Sequence, residues 1–268
     1  MIFINYYDEI KNELVNNEIT KKVKDYSKNR SDLTTYYNVG KLLSEAGKHY
    51  GEGIIKEYSK RLTNEFGTKF GITLLKRIRQ FYIVIEKGAT MSHQLSWSHY
   101  CELLPVNSID KINYYIKITK EQNLSIRELR TKIKNNEYER LDESTKEKLK
   151  EKEKLKLPDL VKNPIQIRNT SGNNEISEKA LQKLILEDIP SFLDELGNGF
   201  TFVRNEYKIK IGDRYNYIDL LLFNYEFNCF VVVELKVSEL KKEHIGQIEF
   251  YMNYIDKNLK NINQNKTI

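Results

Sequence analysis

The chain has few of the residues that staple or kink a small secreted fold: two cysteines, four prolines and one tryptophan in 268 residues. Cys101 and Cys229 are far apart and have no metal-ligand spacing. That excludes a disulfide-rich scaffold and leads us to expect a reduced, cytoplasmic setting. His49, His93, His99 and His244 are scattered as well, which argues against a zinc site. No apolar run approaches the roughly 20 residues of a membrane span, and Met1 to Asn5 lacks a cleavage pattern. No membrane partner is expected, and no internal repeat is visible.

Charge is plentiful. Charged residues make up 31% of the chain, with 44 Lys and Arg against 38 Asp and Glu, a net charge of +6. The basic excess is compatible with a nucleic-acid partner without demonstrating one. Eighteen Tyr and eleven Phe offer stacking surface, although most aromatics in any chain belong to cores.

The length allows one large or two modest domains. Residues 1–140 read as a helical domain. Ile10, Leu14, Ile19 and Val23 fall loosely on one face, and Tyr36, Val39, Gly40, Leu42 and Leu43 continue the pattern until Gly47, Gly51 and Gly53 break it. A third helix runs through Ile54, Tyr58 and Leu62, and Trp97-Ser98-His99-Tyr100 leads another. Ser125 with Glu128 three residues on has the form of a capping box. The segment Thr73 to Tyr82 is the most basic helical stretch. Its Lys76, Arg77 and Arg79 would suit a helix laid on a phosphate backbone, or simply a solvated helix face. Residues 141–174 read as a charged, exposed helix or linker: Leu141 to Lys156 holds five acids and six lysines with little to bury. Pro158, Pro164 and Asn169 to Asn174 mark a boundary, and residues 175–268 form a second domain.

That second domain reads as helix (Glu178 to Leu196), strand (Phe200 to Ile211), turn, two further strands and a closing helix through His244, Gln247, Ile248, Tyr251 and Tyr254. Its two later strands carry the unusual feature. Tyr217 to Phe223 and Val231 to Lys236 are otherwise apolar runs, yet they contain Asp219, Glu234 and Lys236. Charges are seldom buried unless paired or holding a metal. With a loop over Tyr225 to Asn228, the hairpin is centred between Glu226 and Phe227, which sets Asp219 directly across from Glu234. Opposed residues share a face, about 4.5–5.5 Å apart at Cβ, and Lys236 shares the face of Glu234. Two carboxylates suit Mg²⁺, which is commonly held by one or two of them plus water and phosphate. An ordinary acid–lysine pair on a wet sheet face is the plainer reading. Val231-Val232-Val233 opposes it, because a solvated face should alternate.

Asp219 followed by Glu234-Leu235-Lys236 resembles the D…ExK signature of the PD-(D/E)xK nucleases. Ile211-Gly212-Asp213 and Gly246 to Asn253 are similar to the YhcG-type branch, as are Tyr37 to Lys41, Arg79 to Tyr82 and Trp97 to Pro105. The resemblance implies an α/β (overall α+β) protein: an all-helical N-terminal domain, then a restriction-endonuclease-like α/β domain with a mixed central sheet. It implies a metal-dependent endonuclease acting on nucleic acid, DNA by preference, with a homo-oligomer compatible with cutting both strands. Asp219, Glu234 and the Leu235 carbonyl would hold Mg²⁺ or Mn²⁺, and Lys236 would orient water or steady the transition state. Relatives take another acid from the first helix. Glu178 lies within that helix's apolar stripe and is the candidate, whereas Glu187 points nearly opposite. Gln247 and Tyr251 are similar to a Q-x-x-x-Y element that positions lysine or substrate. Relatives also continue with sheet and helix beyond the equivalent of Ile268, so a domain lacking its last strand or strands, with an exposed edge, is expected here. A catalytically inactive nucleic-acid-binding or assembly protein on the same fold is the alternative.

Overall fold

A computed structural model describes residues 6–23, 28–51, 53–151, 153–167, 177–239 and 241–268. The chain divides into two compact units, Met1–Tyr138 and Glu139–Ile268. No helix among the described residues is long and apolar enough to cross a membrane.

The N-terminal unit is helical: α1 (Tyr6–Val23), α2 (Lys28–Tyr50), α3 (Ile54–Phe66), α4 (Ile72–Glu86), α5 (Trp97–Leu103), α6 (Ile109–Glu121) and α7 (Ile126–Lys134). Tyr7, Ile10 and Leu14 of α1 meet Val39, Leu43 and Ala46 of α2, Ile55, Tyr58 and Leu62 of α3, and Leu75 and Ile78 of α4 in one buried cluster. Ile19, expected on the same stripe, is exposed, and the side chain of Val23 lies outside the described residues. Gly47 does not end α2, which continues to Tyr50. The Arg79 guanidinium lies 3.4 Å from where its Cβ would sit. Gly40 is more tightly placed, since a Cβ there would lie 2.5 Å from the Ile78 carbonyl oxygen and 2.6 Å from Tyr82 Cβ. Gly40 therefore serves the close approach of α2 and α4, a tertiary reason that outweighs helix propensity, whereas a Cβ at Gly47 would make only ordinary contact with Arg79.

The C-terminal unit begins with α8 (Glu143–Glu151) and the short α9 (Leu157–Leu160), followed by α10 (Glu178–Glu187) and α11 (Ile189–Leu196). The single helix expected from Glu178 to Leu196 is broken at Asp188. Asp188 leaves helical geometry and caps α11 through a bond from Ser191 N–H, with a proline, Pro190, in the first turn. Of the exposed helix or linker expected over residues 141–174, the helix forms as α8, and the described residues from 139 to 167 pack as part of this unit. Leu157 is buried in its core, and Arg140 forms an ion pair with Glu195 of α11. Lys162 donates to the Asp194 carbonyl at 3.1 Å, and Gln166 N–H donates to Glu195 at 3.0 Å. Burial alone would raise the Glu195 carboxyl, but these bonds and charges outweigh it and hold its pKa down. The boundary expected at Asn169 to Asn174 lies outside the described residues.

The sheet follows as β1 (Phe200–Ile211), β2 (Arg214–Asn224) and β3 (Cys229–Val233), with α12 (Lys242–Asn258) after it. Its three strands are antiparallel in the order β1-β2-β3, not mixed as expected. The β3 edge, expected to be bare, carries Ile268. Its N–H donates to the Phe230 carbonyl and its own carbonyl accepts from Val232 N–H, which is a parallel bridge. One apolar cluster joins Leu220, Leu222, Val231 and Leu235 to Ile185, Phe192 and Leu196 of the α10–α11 pair. A second joins Ile209, Ile218, Leu221 and Val232 to Tyr251 and Ile255 of α12. Helices thus cover the sheet on both sides.

Candidate active site

The hairpin register sets the site. Leu220 pairs with Val233 and Asn224 with Cys229, the register that sets Asp219 opposite Glu234 as the next pair along. The turn is locked by Asn224, which is fully buried and accepts from Glu226 N–H and Phe227 N–H while donating to the Asn198 carbonyl. Beyond Val233 the β3 chain leaves the ladder. There the Leu235 N–H donates to Asp219 Oδ2 at 2.7 Å, so an acid side chain replaces the missing strand partner.

Around this clip the expected residues gather. Lys236 Nζ lies 3.0 Å from Glu234 Oε1 and 3.6 Å from Glu178 Oε2. Gln247 Nε2, on α12, donates to Glu234 Oε1 at 2.9 Å and stands 2.9 Å from the Tyr251 hydroxyl one helical turn on. Glu178 follows the Ser177 N-cap of α10 and is the most open of the acids, with its side chain 46% exposed. Glu187 is exposed and 3.9 Å from Lys183.

Glu234 is the most confined group: its side chain is 8% exposed and its Oε2 is buried with no hydrogen-bond partner. Burial pushes its carboxyl pKa up and the charges of Asp219 and Glu178 add to this, against the opposing pull of Lys236. Lys236 moves upward too. Burial would lower it, but the Glu234 hydrogen bond and the three surrounding carboxylates prevail, so it stays an ammonium at neutral pH. Three acids and one lysine leave an excess of negative charge here.

An unpartnered buried carboxylate oxygen beside a second carboxylate fits a hard divalent cation, which takes oxygen ligands. Among the described residues no three His, Cys, Asp or Glu side chains are gathered closely enough to form a cage. The available donors are therefore those of an open site completed by water and substrate.

Sequence reasoning missed Gln182. It is buried on α10, four residues after Glu178, and its Nε2 donates to the Asp219 backbone carbonyl at 3.2 Å. Its only sequence signal is that i, i+4 spacing. The basic trio of α4 is not uniformly exposed. Lys76 and Arg77 are exposed and Arg77 lies beside Cys101, whereas the half-buried Arg79 packs against Gly47 and so departs from the expected surface role.

Residues 9–140 match the family model described as the DUF1016 N-terminal domain, and residues 158–268 match the YhcG PDDEXK nuclease domain. The chain is 27% identical over 285 aligned positions to "Putative nuclease YhcG" of Escherichia coli (strain K12), an alignment covering 90% of this chain and 76% of that protein. No solved structure matches the chain.

Proposed function

From a chain that belongs to the YhcG-type PD-(D/E)xK nuclease family, we propose a divalent-metal-dependent endonuclease that hydrolyses phosphodiester bonds of DNA. The observation that carries this reading is the buried, unpartnered Glu234 Oε2 beside Asp219 and Lys236. A buried carboxylate oxygen with nothing to bind is costly, and a bound cation removes the cost. Asp219, through the oxygen not held by Leu235 N–H, and Glu234 would hold Mg²⁺ or Mn²⁺, with Glu178 and the Leu235 carbonyl completing the shell directly or through water. The ion would supply charge neutralisation at the phosphoryl group and a more acidic bound water.

The protein's own residues do the rest. Lys236, kept protonated by its acids, serves as a donor rather than a base: it orients the attacking water or stabilises charge building on the phosphoryl oxygens. Gln247 fixes Glu234 and is itself fixed by Tyr251. Gln182 holds the backbone from which Asp219 projects. The helical unit contributes DNA binding or self-association, with Lys76 and Arg77 as exposed phosphate contacts.

The test is cleavage of supercoiled, linear, branched and single-stranded DNA with Mg²⁺ or Mn²⁺, comparing wild type with Lys236→Ala. Cutting that requires metal and is lost in the variant supports the proposal. A folded wild type that binds DNA in chelator but never cuts would instead favour the inactive binding protein.

A further inference from the structure

The face of the β1–β2 ribbon beyond the site is unexplained by the chemistry. β3 pairs with β2 only from Leu220 onward, so from Tyr207 to Ile218 the two longer strands run on as a two-stranded ribbon. The ribbon turns through Gly212 and Asp213, with Gly212 at φ 57°. One side of it is core: Ile209 and Ile218 are fully buried against Tyr251 and Ile255 of α12. The other side bears Lys208 opposite Tyr217 and Lys210 opposite Tyr215, all four exposed, while the exposed Arg214 at the turn falls by alternation on the Ile209 side.

Two features of that side are chemically specific. Tyr215 and Tyr217 are 53% and 51% exposed, although tyrosine rings on a sheet face ordinarily find cover. They stand two residues apart on one strand, about 7 Å, a spacing that lets two unstacked bases each meet a ring. Both are flanked by cations, and Lys208 Nζ lies 3.8 Å from the Tyr215 ring centroid. Asp213 at the turn and Glu206 at the base are the acids nearby in sequence, beside the two lysines of the face and Arg214 at the turn. Aromatic platforms interleaved with cations are the chemistry of single-stranded nucleic-acid binding: rings stack on any base, and lysines and arginines track the phosphates. Tyr217 is two residues before Asp219 on the same strand, so a strand lying along this ribbon leads to the candidate site.

We propose that the exposed face of the β1–β2 ribbon, built from Lys208, Lys210, Tyr215 and Tyr217, is a track for a single-stranded nucleic-acid segment entering the site. The inference rests on the nuclease reading for its substrate class, but its test does not need cutting. Binding of a short labelled single strand and of a blunt duplex of the same sequence is measured by fluorescence anisotropy in chelator, over a range of salt.

Replacing both rings (Tyr215→Leu with Tyr217→Leu) should weaken single-strand binding about 10-fold or more and leave duplex binding unchanged. The Tyr215→Phe, Tyr217→Phe pair, which keeps the rings, should bind like wild type. Lys208→Gln with Lys210→Gln should flatten the log–log salt dependence of single-strand affinity by about 0.7 for each phosphate that is no longer neutralised. Unchanged single-strand affinity in the leucine pair overturns the track, as does an equal loss on both probes or a phenylalanine pair as weak as the leucine pair. The two failures separate. If wild type never cuts but the leucine pair binds single strands poorly, the nuclease reading falls and the track stands. If Lys236-dependent cutting is present and the leucine pair binds normally, the track alone falls.

Discussion

The polar residues of the Trp97 to Pro105 stretch and those of the C-terminal site are handled in opposite ways. In the helical unit the side chains of the Trp97 to Pro105 stretch are engaged within the fold. His99 caps α5 by accepting from Ser96 N–H and stands 3.1 Å from the Leu124 carbonyl. The Tyr100 hydroxyl accepts from Ser92 N–H and donates to the Thr90 carbonyl. Burial pushes its pKa up to about 12. Glu102 takes a two-pronged bond from Arg130, and the Trp97 ring packs against Phe81 and Tyr36. In the other unit, Glu234 is driven into the interior and one of its oxygens is left with nothing. Arg140 Nε is also buried without a bond, yet its charge is met by Glu195. The difference teaches where to look for chemistry: similar-looking polar motifs divide into those whose bonding closes within the fold and one that stays open.

The largest test of this contrast is Glu234→Gln. We expect DNA cleavage to fall about 10³-fold or more while the melting temperature holds or rises, because a costly buried charge has gone. A clear loss of stability would mean Glu234 is structural after all. Next, saturating Mg²⁺ or Mn²⁺ should raise the stability of the wild type by about 2.7 kcal/mol at 100 times Kd. That gain should vanish in Glu234→Gln; calorimetry with and without chelator reads it without any turnover.

Tyr100→Phe is the converse. It strands the Ser92 N–H and should cost about 1–2 kcal/mol in urea unfolding, with cleavage per folded molecule unchanged. The smallest effect is on pH. The raised Glu234 pKa means the folded state keeps a proton that the unfolded chain has released, so stability falls as pH climbs from about 4.3 through the raised value. Glu102, held down first by Arg130, and Glu195 act with the opposite sign: they contribute stability above that range and lose it as pH falls through their lowered values. Urea titrations across pH should show both limbs in wild type and only the acid limb in Glu234→Gln.

The hairpin register was legible because only one centring puts two lone acids opposite each other in apolar strands, and Leu220 does pair with Val233. The capping box at Ser125 was legible for the same local reason, and both of its bonds form. What escaped depends on partners distant in sequence. Gly40 shows its use only once Ile78 and Tyr82 are seen beside it. The lysine-rich run reads as an exposed helix or linker because its anchors, Arg140, Leu157 and Lys162, are few and find their partners on and around α11. Pro190 did signal the break between α10 and α11, since proline is favoured at a helix start, but the apolar stripe ran past it.

The Asp219–Leu235 clip ties two residues of the site together mechanically. Once β3 has left the ladder, the backbone carrying Glu234 and Lys236 is held to β2 by that bond. Replacing Asp219 therefore loosens Glu234 and Lys236 as well as deleting a carboxylate. In a double-mutant cycle the two acids should behave as one unit, the second substitution adding little to the first. A lineage that has lost either acid retains scarcely any selective reason to keep the other, so the pair should be gained or lost together.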